Sequence, residues 1–329
     1  MNILICGGAG YIGSHTLKYL RALNHHCLVV DNLSTGFEWA ALGAPFYHVD
    51  ILDKPALDKV FAANKFDVVM HFCARSLVGE SVEKPGLYYE NNVSGTLTLL
   101  QSMLDHGVKN LVFSSTAAIF GEPQAEVIDE HHSKAPLNPY GKTKLMIEQV
   151  LQDYAVAYGL NSVALRYFNA AGADPDAELG EAHNPETHLI PNILKSLLVD
   201  ADNTFKVFGN DYPTHDGTCI RDYIHVNDLA AAHVLAMEYL DNKPGFHAFN
   251  LGNKTGYSIM EVMQACEKVS GKKVKYELTE RRPGDPAKLV ADNSLAAKEL
   301  GWQAQYTSIE SIIETAWRWH QTGQAKYTG

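Results

Sequence analysis

Between Asn2 and Tyr167 six short apolar runs alternate with longer amphipathic stretches, and this alternation constrains the fold more than any other feature. The runs are Asn2–Cys6, Cys27–Asp31, Phe46–Asp50, Asp67–Phe72, Asn110–Ser114 and Ser162–Tyr167. Helices are expected between them at Ile12–Leu23, Lys54–Ala63, Leu87–Asp105 and Pro139–Tyr158, the last with a proline suited to its first turn. Strands that are apolar throughout need cover on both faces, which implies a parallel sheet flanked by helices. At 329 residues the chain exceeds one ordinary core, so a second lobe is expected.

The pattern changes after about Asn169. Gly, Pro, Asp and His become frequent between Gly172 and Pro191, and the stretch Thr204–Gly217 is turn-rich. A helix is expected again over His225–Leu240 and a strand over Ala248–Leu251. No internal repeat is visible.

Gly7, Gly8, Gly10 and Gly13 follow the first strand and open the first helix. The spacing fits both Gly8–x–Gly10–x–x–Gly13 and the variant Gly7–x–x–Gly10–x–x–Gly13. Glycines at such a turn let the backbone approach a pyrophosphate and let helix and strand pack closely, with the positive helix end facing the phosphates. Glycine-rich turns are common, so the placement between a strand and a helix carries the inference. Asp31 closes the second strand 18 residues after Gly13. A carboxylate there accepts from ribose hydroxyls and repels a 2′-phosphate, which favours NAD over NADP. The bland alternative for Asp31 is a turn cap beside Asn32. Asp50 also ends a strand and could reach the adenine amino group. The fold expected is therefore α/β, a Rossmann-type doubly wound parallel sheet over residues 1–170, completed by segments around 222–252. A smaller C-terminal mixed α/β lobe over 171–329 is expected to hold the substrate.

Tyr140 and Lys144 stand four residues apart in the expected helix from Pro139, on one face. A phenol near ~10 is a poor base at neutral pH. A neighbouring ammonium together with a positively charged nicotinamide favours the phenolate, so Tyr140 reads as a general base or acid. The bare pair is often only a solvated helix face. Its context is the cluster Ser114, Ser115 and Thr116 after the fifth strand, at the sheet edge where open α/β sheets bind ligands. Thr116 is preferred as the hydroxyl partner, with Ser115 as the alternative; all three could otherwise cap the loop backbone.

The formal charge of -11 argues against nucleic acid or an anionic membrane as partner, so an anionic substrate needs local arginines and backbone N–H groups. The five cysteines are scattered, without metal-ligand spacing, and read as buried thiols of a reducing compartment. The chain opens on a strand with no signal segment and no apolar run of membrane-spanning length, so a cytoplasmic location is expected. His25–His26 and His131–His132 are adjacent pairs that face different ways, and no HExxH spacing occurs, so no metal is expected.

These residues resemble a known family. The run from Gly7 to His15, the Tyr140–Gly–Lys–Thr–Lys144 motif and His71–Phe–Cys–Ala are similar to the extended short-chain dehydrogenases, the NAD-dependent epimerase/dehydratase family. Val78–Gly–Glu–Ser81, Arg166–Tyr–Phe–Asn169, the long run from Gly209 to Val226, and Arg281–Arg–Pro–Gly–Asp285 resemble in particular its UDP-glucose 4-epimerase branch. The resemblance covers essentially the whole chain. It implies Thr116, Tyr140 and Lys144 as the catalytic set. It implies Gly7, Gly10, Tyr11, Ile12 and Gly13 in the phosphate loop, and Asp31, Asn32, Asp50, Ile51, Phe72, Asn91 and Phe168 as further NAD contacts. Asn169, Leu189, Phe208, Arg221, Arg282 and Asp285 fall on positions that hold a UDP-sugar. Arg221 and Arg282 are suited to grip a diphosphate, and Asp285 to accept from a ribose.

The reaction implied is interconversion of UDP-glucose and UDP-galactose. C4 is oxidised by a retained NAD, the 4-keto sugar turns over about its diphosphate link, and hydride returns to the other face. Ala117 and Ala118 follow Thr116 where a dehydratase or decarboxylase carries extra acidic residues, which leaves hydride return as the chemistry. The rival substrates are another UDP-sugar, a pentose or an N-acetylhexosamine. A sensing or structural role on the same scaffold is opposed by the intact Thr116, Tyr140 and Lys144. The chain departs from its relatives at Ser76, often a lysine, and at His188, an asparagine in some. Leu289 is a third such position, with a bearing on N-acetylated sugars. The resemblance also implies a homodimer through the helix after Leu87 and the Tyr140 helix.

Overall fold

The computed structural model describes residues 1–198, 204–281 and 286–323. Its elements in chain order begin β1 (Asn2–Cys6), α1 (Tyr11–Ala22), β2 (His26–Asp31), β3 (Phe46–His48), α2 (Lys54–Ala63) and β4 (Val68–His71). Two short helices follow, α3 (Val78–Glu83) and α4 (Pro85–Tyr88), then α5 (Gly95–Asp105), β5 (Asn110–Thr116), α6 (Pro139–Tyr158), β6 (Asn161–Tyr167) and β7 (Asn169–Ala171). The second half contains α7 (Leu189–Leu198), β8 (Phe205–Phe208), β9 (Ile220–His225), α8 (Val226–Leu240), β10 (Phe246–Leu251), β11 (Gly256–Ser258) and α9 (Ile259–Ser270). Last come β12 (Tyr276–Thr279), β13 (Lys288–Leu289), α10 (Ser294–Leu300) and α11 (Ile309–Gly323).

Seven strands form one parallel sheet in the order β10-β6-β5-β4-β1-β2-β3. Successive side chains of a strand point to opposite faces, and the sequence fills both. Ile3, Ile5, Val29, Val68 and Met70 join Leu17 and Leu20 of α1 and Leu229, Ala236 and Met237 of α8 in one core layer. Leu4, Cys6, Leu28, Val30 and Val69 join Leu57 of α2, Leu99 and Met103 of α5, and Ile147 and Leu151 of α6 in the other. Each fully buried aliphatic side chain stabilises by about 1.5–3 kcal/mol.

A smaller sheet surrounds β9, which pairs with β11 antiparallel and with β13 and β7 in parallel. β8 and β12 form a separate parallel pair. Ile190, Ile193 and Leu194 of α7 and Val262 and Cys266 of α9 pack with Ile312 and Ile313 of α11 in a third core. Immediately after β9 the chain returns to the large sheet through α8 and β10, and α10 packs on both.

Three local expectations differ from what is found. The helix expected over Leu87–Asp105 contains a π-turn at Tyr89–Ser94. A single wide turn inside a helical run, with no proline or glycine among Tyr89–Ser94 to mark it, is not revealed by the sequence. β5 runs on past its expected end at Ser114 through Ser115 and Thr116. The turn-rich stretch after Thr204 includes a strand, β8. Among the described residues no helix is long and apolar enough to cross a membrane. Four of the five cysteines are buried and Cys73 partly so.

Candidate active site

The chain passes from β2 and β3 across to β4 between the β1 and β4 positions of the sheet. That is the switch point, where the carboxyl ends of strands open a crevice. Gly7 leaves β1 with φ +84°, and a Cβ there would stand 2.8 Å from the Cys73 nitrogen. A Cβ on Gly13 would stand 2.2 Å from the Gly7 carbonyl oxygen, so only glycine lets α1 pack so near the loop. At Gly10, the N-cap of α1, an added Cβ meets nothing nearer than the Gly7 oxygen at 3.4 Å, and no side chain caps the helix. A positive helix end left without a side-chain cap fits a phosphate.

Asp31 is buried at the end of β2. It accepts the Ala9 N–H at 3.0 Å and the Leu33 N–H at 2.8 Å. Burial raises its pKa, and these backbone donors oppose the rise. Each carboxylate oxygen has further accepting capacity, which suits a ribose diol. Asn32 donates to Asp50 at 2.8 Å, and Asp50 also accepts from the Leu52 N–H. Ile51 lies buried beneath Gly95. Phe72 borders the Gly7 turn and packs on His233 at 4.8 Å between ring centres. Asn91 lies in the π-turn and donates to Asn92, which in turn donates to Thr143 of α6. These chain features fit a dinucleotide.

α6 is bounded as its sequence predicts. Asn138 caps the start by accepting the Gly141 N–H, Pro139 opens the first turn, and Gly159 closes the end at φ 65°. The helix lays Lys144 on β5, where the ammonium donates to the Ser114 carbonyl at 2.5 Å and lies 4.7 Å from the Phe113 ring centre. Burial lowers this lysine to about 7, against the opposing pull of Cys73 and Glu148. Thr116 Oγ1 accepts the Ala118 N–H at 3.2 Å, which leaves its O–H to donate towards the neighbouring Tyr140. The Thr116 hydroxyl lowers the Tyr140 pKa, but burial is the larger effect and the net shift is upward. The ammonium of Lys144 stands 6.0 Å from the centre of the Tyr140 ring. Its expected lowering of the phenol is not what dominates here, because its hydrogen bond goes to the backbone. Ser115 is turned away and donates to Glu148 at 2.6 Å.

Of the expected sugar-nucleotide residues, Arg221 and Asn169 lie at β9. Arg221 lies in that strand, partly buried, with Nη1 donating to the Ile220 carbonyl at 2.9 Å. Leu289 of β13 is its register partner. Asn169 donates to the Asp222 carbonyl at 2.8 Å. Phe168 and Leu289 pack on Ala117, Ile119, Phe120 and Ile128, directly beyond Thr116. Leu189 opens α7, and Phe208 ends β8. Arg281 lies over the Tyr212 ring at 4.1 Å. Arg282 and Asp285 lie outside the described residues.

Two groups escaped the sequence reading. Glu148 and Arg166 form a buried pair, with Arg166 Nη2 2.6 Å from Glu148 Oε2, beneath Ser115. The only sequence signal was a glutamate four residues after Lys144, facing a strand with an interior arginine. The second group, Glu181, His183, Glu186 and His188, converges in the loop before α7. The spacing Glu–x–His–x–x–Glu–x–His was the signal available.

The doubly wound sheet, its glycine loop and the Asp31 carboxylate define an NAD-binding enzyme. Residues 3–252 match the NAD dependent epimerase/dehydratase family, and the chain belongs to that family. It is 51% identical to the UDP-glucose 4-epimerase of Halalkalibacterium halodurans over 98% of this chain and 96% of that relative. It is similar to the crystal structure of UDP-glucose 4-epimerase from Brucella ovis in complex with NAD. There the identity is 49% and the TM-score 0.93, over 96% of this chain and 97% of that one. The Bifidobacterium longum UDP-glucose 4-epimerase in complex with NAD+ and UDP is 38% identical, with a TM-score of 0.94 over 98% and 99% of the two chains.

Proposed function

We propose that the protein interconverts UDP-glucose and UDP-galactose by inverting C4 of the sugar. The observation that carries the reading is the placement of Tyr140 beside Thr116 at the carboxyl end of β5, with Lys144 buried one helical turn further along α6. Full-length similarity to UDP-glucose 4-epimerases supports it. NAD, when bound, supplies the acceptor and donor of the C4 hydride.

Tyr140 moves the proton at its Oη, as base towards the sugar 4-hydroxyl and as acid when the hydroxyl re-forms. Thr116 donates to the same oxygen and stabilises its charged form. Lys144 holds α6 on β5 and brings positive charge to the site. Gly7, Gly10, Tyr11, Ile12, Gly13, Asp31, Asn32, Asp50, Ile51, Phe72, Asn91 and Phe168 would hold the dinucleotide. Asn169, Leu189, Phe208, Arg221, Arg282 and Asp285 would hold the UDP-sugar, gripping the nucleotide while the sugar keeps freedom to turn.

The first domain in this reading comprises residues 1–170 with the segments around 222–252, and the remainder of 171–329 is mainly the sugar-nucleotide lobe. The assembly is a homodimer. What supports it is the exposure of Val78, Val82, Leu87 and Leu97 on α3 to α5 and of Met146 and Val156 on α6, in elements that adjoin. Apolar side chains exposed on neighbouring helices suit an interface between copies of the chain. The compartment is the cytoplasm.

The test is to incubate the purified protein with UDP-galactose, add no NAD, and resolve the nucleotide sugars. Formation of UDP-glucose towards an equilibrium mixture is expected. No conversion even after NAD is supplied would overturn the hexose assignment.

A further inference from the structure

The segment between β7 and α7 has no regular structure from residue 172 to 188. It carries four side chains that the catalytic set does not use. One ligand atom each from Glu181, His183, Glu186 and His188 lies within 4.8 Å of all the others. His188 Nδ1 stands 2.8 Å from Glu181 Oε1 and 3.0 Å from Glu186 Oε1. His183 Nδ1 stands 3.1 Å from Glu181 Oε1 and 3.9 Å from Glu186 Oε2. A tetrahedral centre with bonds of about 2.0–2.2 Å sets its donor atoms about 3.3–3.6 Å apart. The separations here straddle that value.

Ion pairing alone leaves one atom unexplained. The Glu186 side chain is only 5% exposed, and its Oε2 is buried with no hydrogen-bond partner. Lys195 Nζ at 3.8 Å and His183 Nδ1 at 3.9 Å lie beyond hydrogen-bond reach. An unsatisfied buried acceptor of this kind costs about 1–3 kcal/mol, more when charged. A cation at the centre of the four side chains satisfies it. Two imidazole nitrogens and two carboxylate oxygens are a donor set for zinc-type ions, and two carboxylates balance a charge of 2+.

We propose that Glu181, His183, Glu186 and His188 bind one divalent transition-metal cation of the zinc type. Four protein ligands close the coordination sphere, so the ion is structural. It fixes an irregular loop between two parts of the site. On one side Tyr11 of the phosphate loop packs edge-on against His183 at 6.1 Å and donates to the Gly172 carbonyl at 2.6 Å. On the other, His188 leads directly into α7.

The test uses the untagged full-length protein with its cofactor retained. It is stripped with a chelator, given zinc or cobalt(II) chloride, desalted, and analysed for metal content. About one equivalent of zinc should remain, and cobalt should show the visible absorption of a four-coordinate site. His183→Ala should weaken retention by at least about tenfold. Glu186→Gln, which keeps the side chain's size, should do the same and serves if the alanine variant does not fold. Retention of less than about a tenth of an equivalent by the unaltered protein, or equal retention by the folded variants, overturns the site. Metal content and the cobalt spectrum are read without turnover, so this result is separate from the epimerase reading.

Discussion

The Lys144 ammonium donates to the Ser114 carbonyl at 2.5 Å, two residues before Thr116 on the same strand. The helix that carries Tyr140 is thus fastened to the strand that carries its partner, independently of the phenol. Tyr140→Phe should therefore fold and retain NAD. Turnover should fall by about 10²–10⁴-fold, the usual contribution of a positioned acid or base. Cofactor content and initial rate on UDP-galactose check this. A rate within about tenfold of the parent would remove Tyr140 from proton transfer.

Gly13→Ala places a Cβ 2.2 Å from one backbone atom, the Gly7 oxygen, and 2.9 Å from another, the Gly7 carbonyl carbon. Neither neighbour is a flexible side chain that can swing aside. The variant should lose about 1–3 kcal/mol of stability through overpacking and emerge from purification with little NAD. Unchanged cofactor content would show that α1 can shift without opening the loop.

The buried pair of Glu148 and Arg166 makes a sharper energetic test. Glu148→Gln leaves a buried guanidinium uncompensated, and should cost about 3–5 kcal/mol in urea unfolding. Replacing both residues by methionine should cost clearly less than the single change, because the charge and its counter-charge leave together. Equal losses would mean that packing, not charge, sets the value.

Asp222 gives a pH signature. Its carboxyl is buried and raised to about 7, with the Asn253 and Ala291 N–H groups opposing the shift. Between its ordinary value of 3.8 and about 7 the folded chain holds a proton that the unfolded chain has released. Stability contributed by this group is therefore highest at low pH and falls as pH rises through that window. Asp222→Asn should flatten that slope. The amide cannot accept both N–H bonds, so the variant should also lose about 1–3 kcal/mol throughout. Denaturant midpoints measured across the window decide it, and identical slopes in both proteins would reject the assignment.

Much of the architecture was legible because it depends on local pattern. β1, α2 and α6 begin and end where alternation, proline and glycine place them. The polar end of β5 was not legible, because its burial depends on distant partners. Ser114 bonds with Tyr167, and Ser115 with Glu148. The π-turn at Tyr89–Ser94 hides in a pattern that reads as one helix. Tyr140 and Lys144 could be chosen from their spacing, yet spacing says nothing of burial, and burial is what raises the phenol and lowers the lysine. The His–Glu cluster lies in an irregular loop, where no periodicity brings its members to one face.

The seventh strand of the large sheet has a consequence for synthesis. β6 takes its outer neighbour from Phe246–Leu251, about 80 residues later in the chain, after the parts of the small sheet that precede β9. At about 5–20 residues per second, the outer edge of β6 stays bare for roughly 4–16 s while the chain emerges from the ribosome. An uncapped edge strand is a template for pairing with other chains. Nascent protein stalled or cleaved in this interval would present that edge to its neighbours, so the vulnerable moment for aggregation is set by the strand order of the sheet.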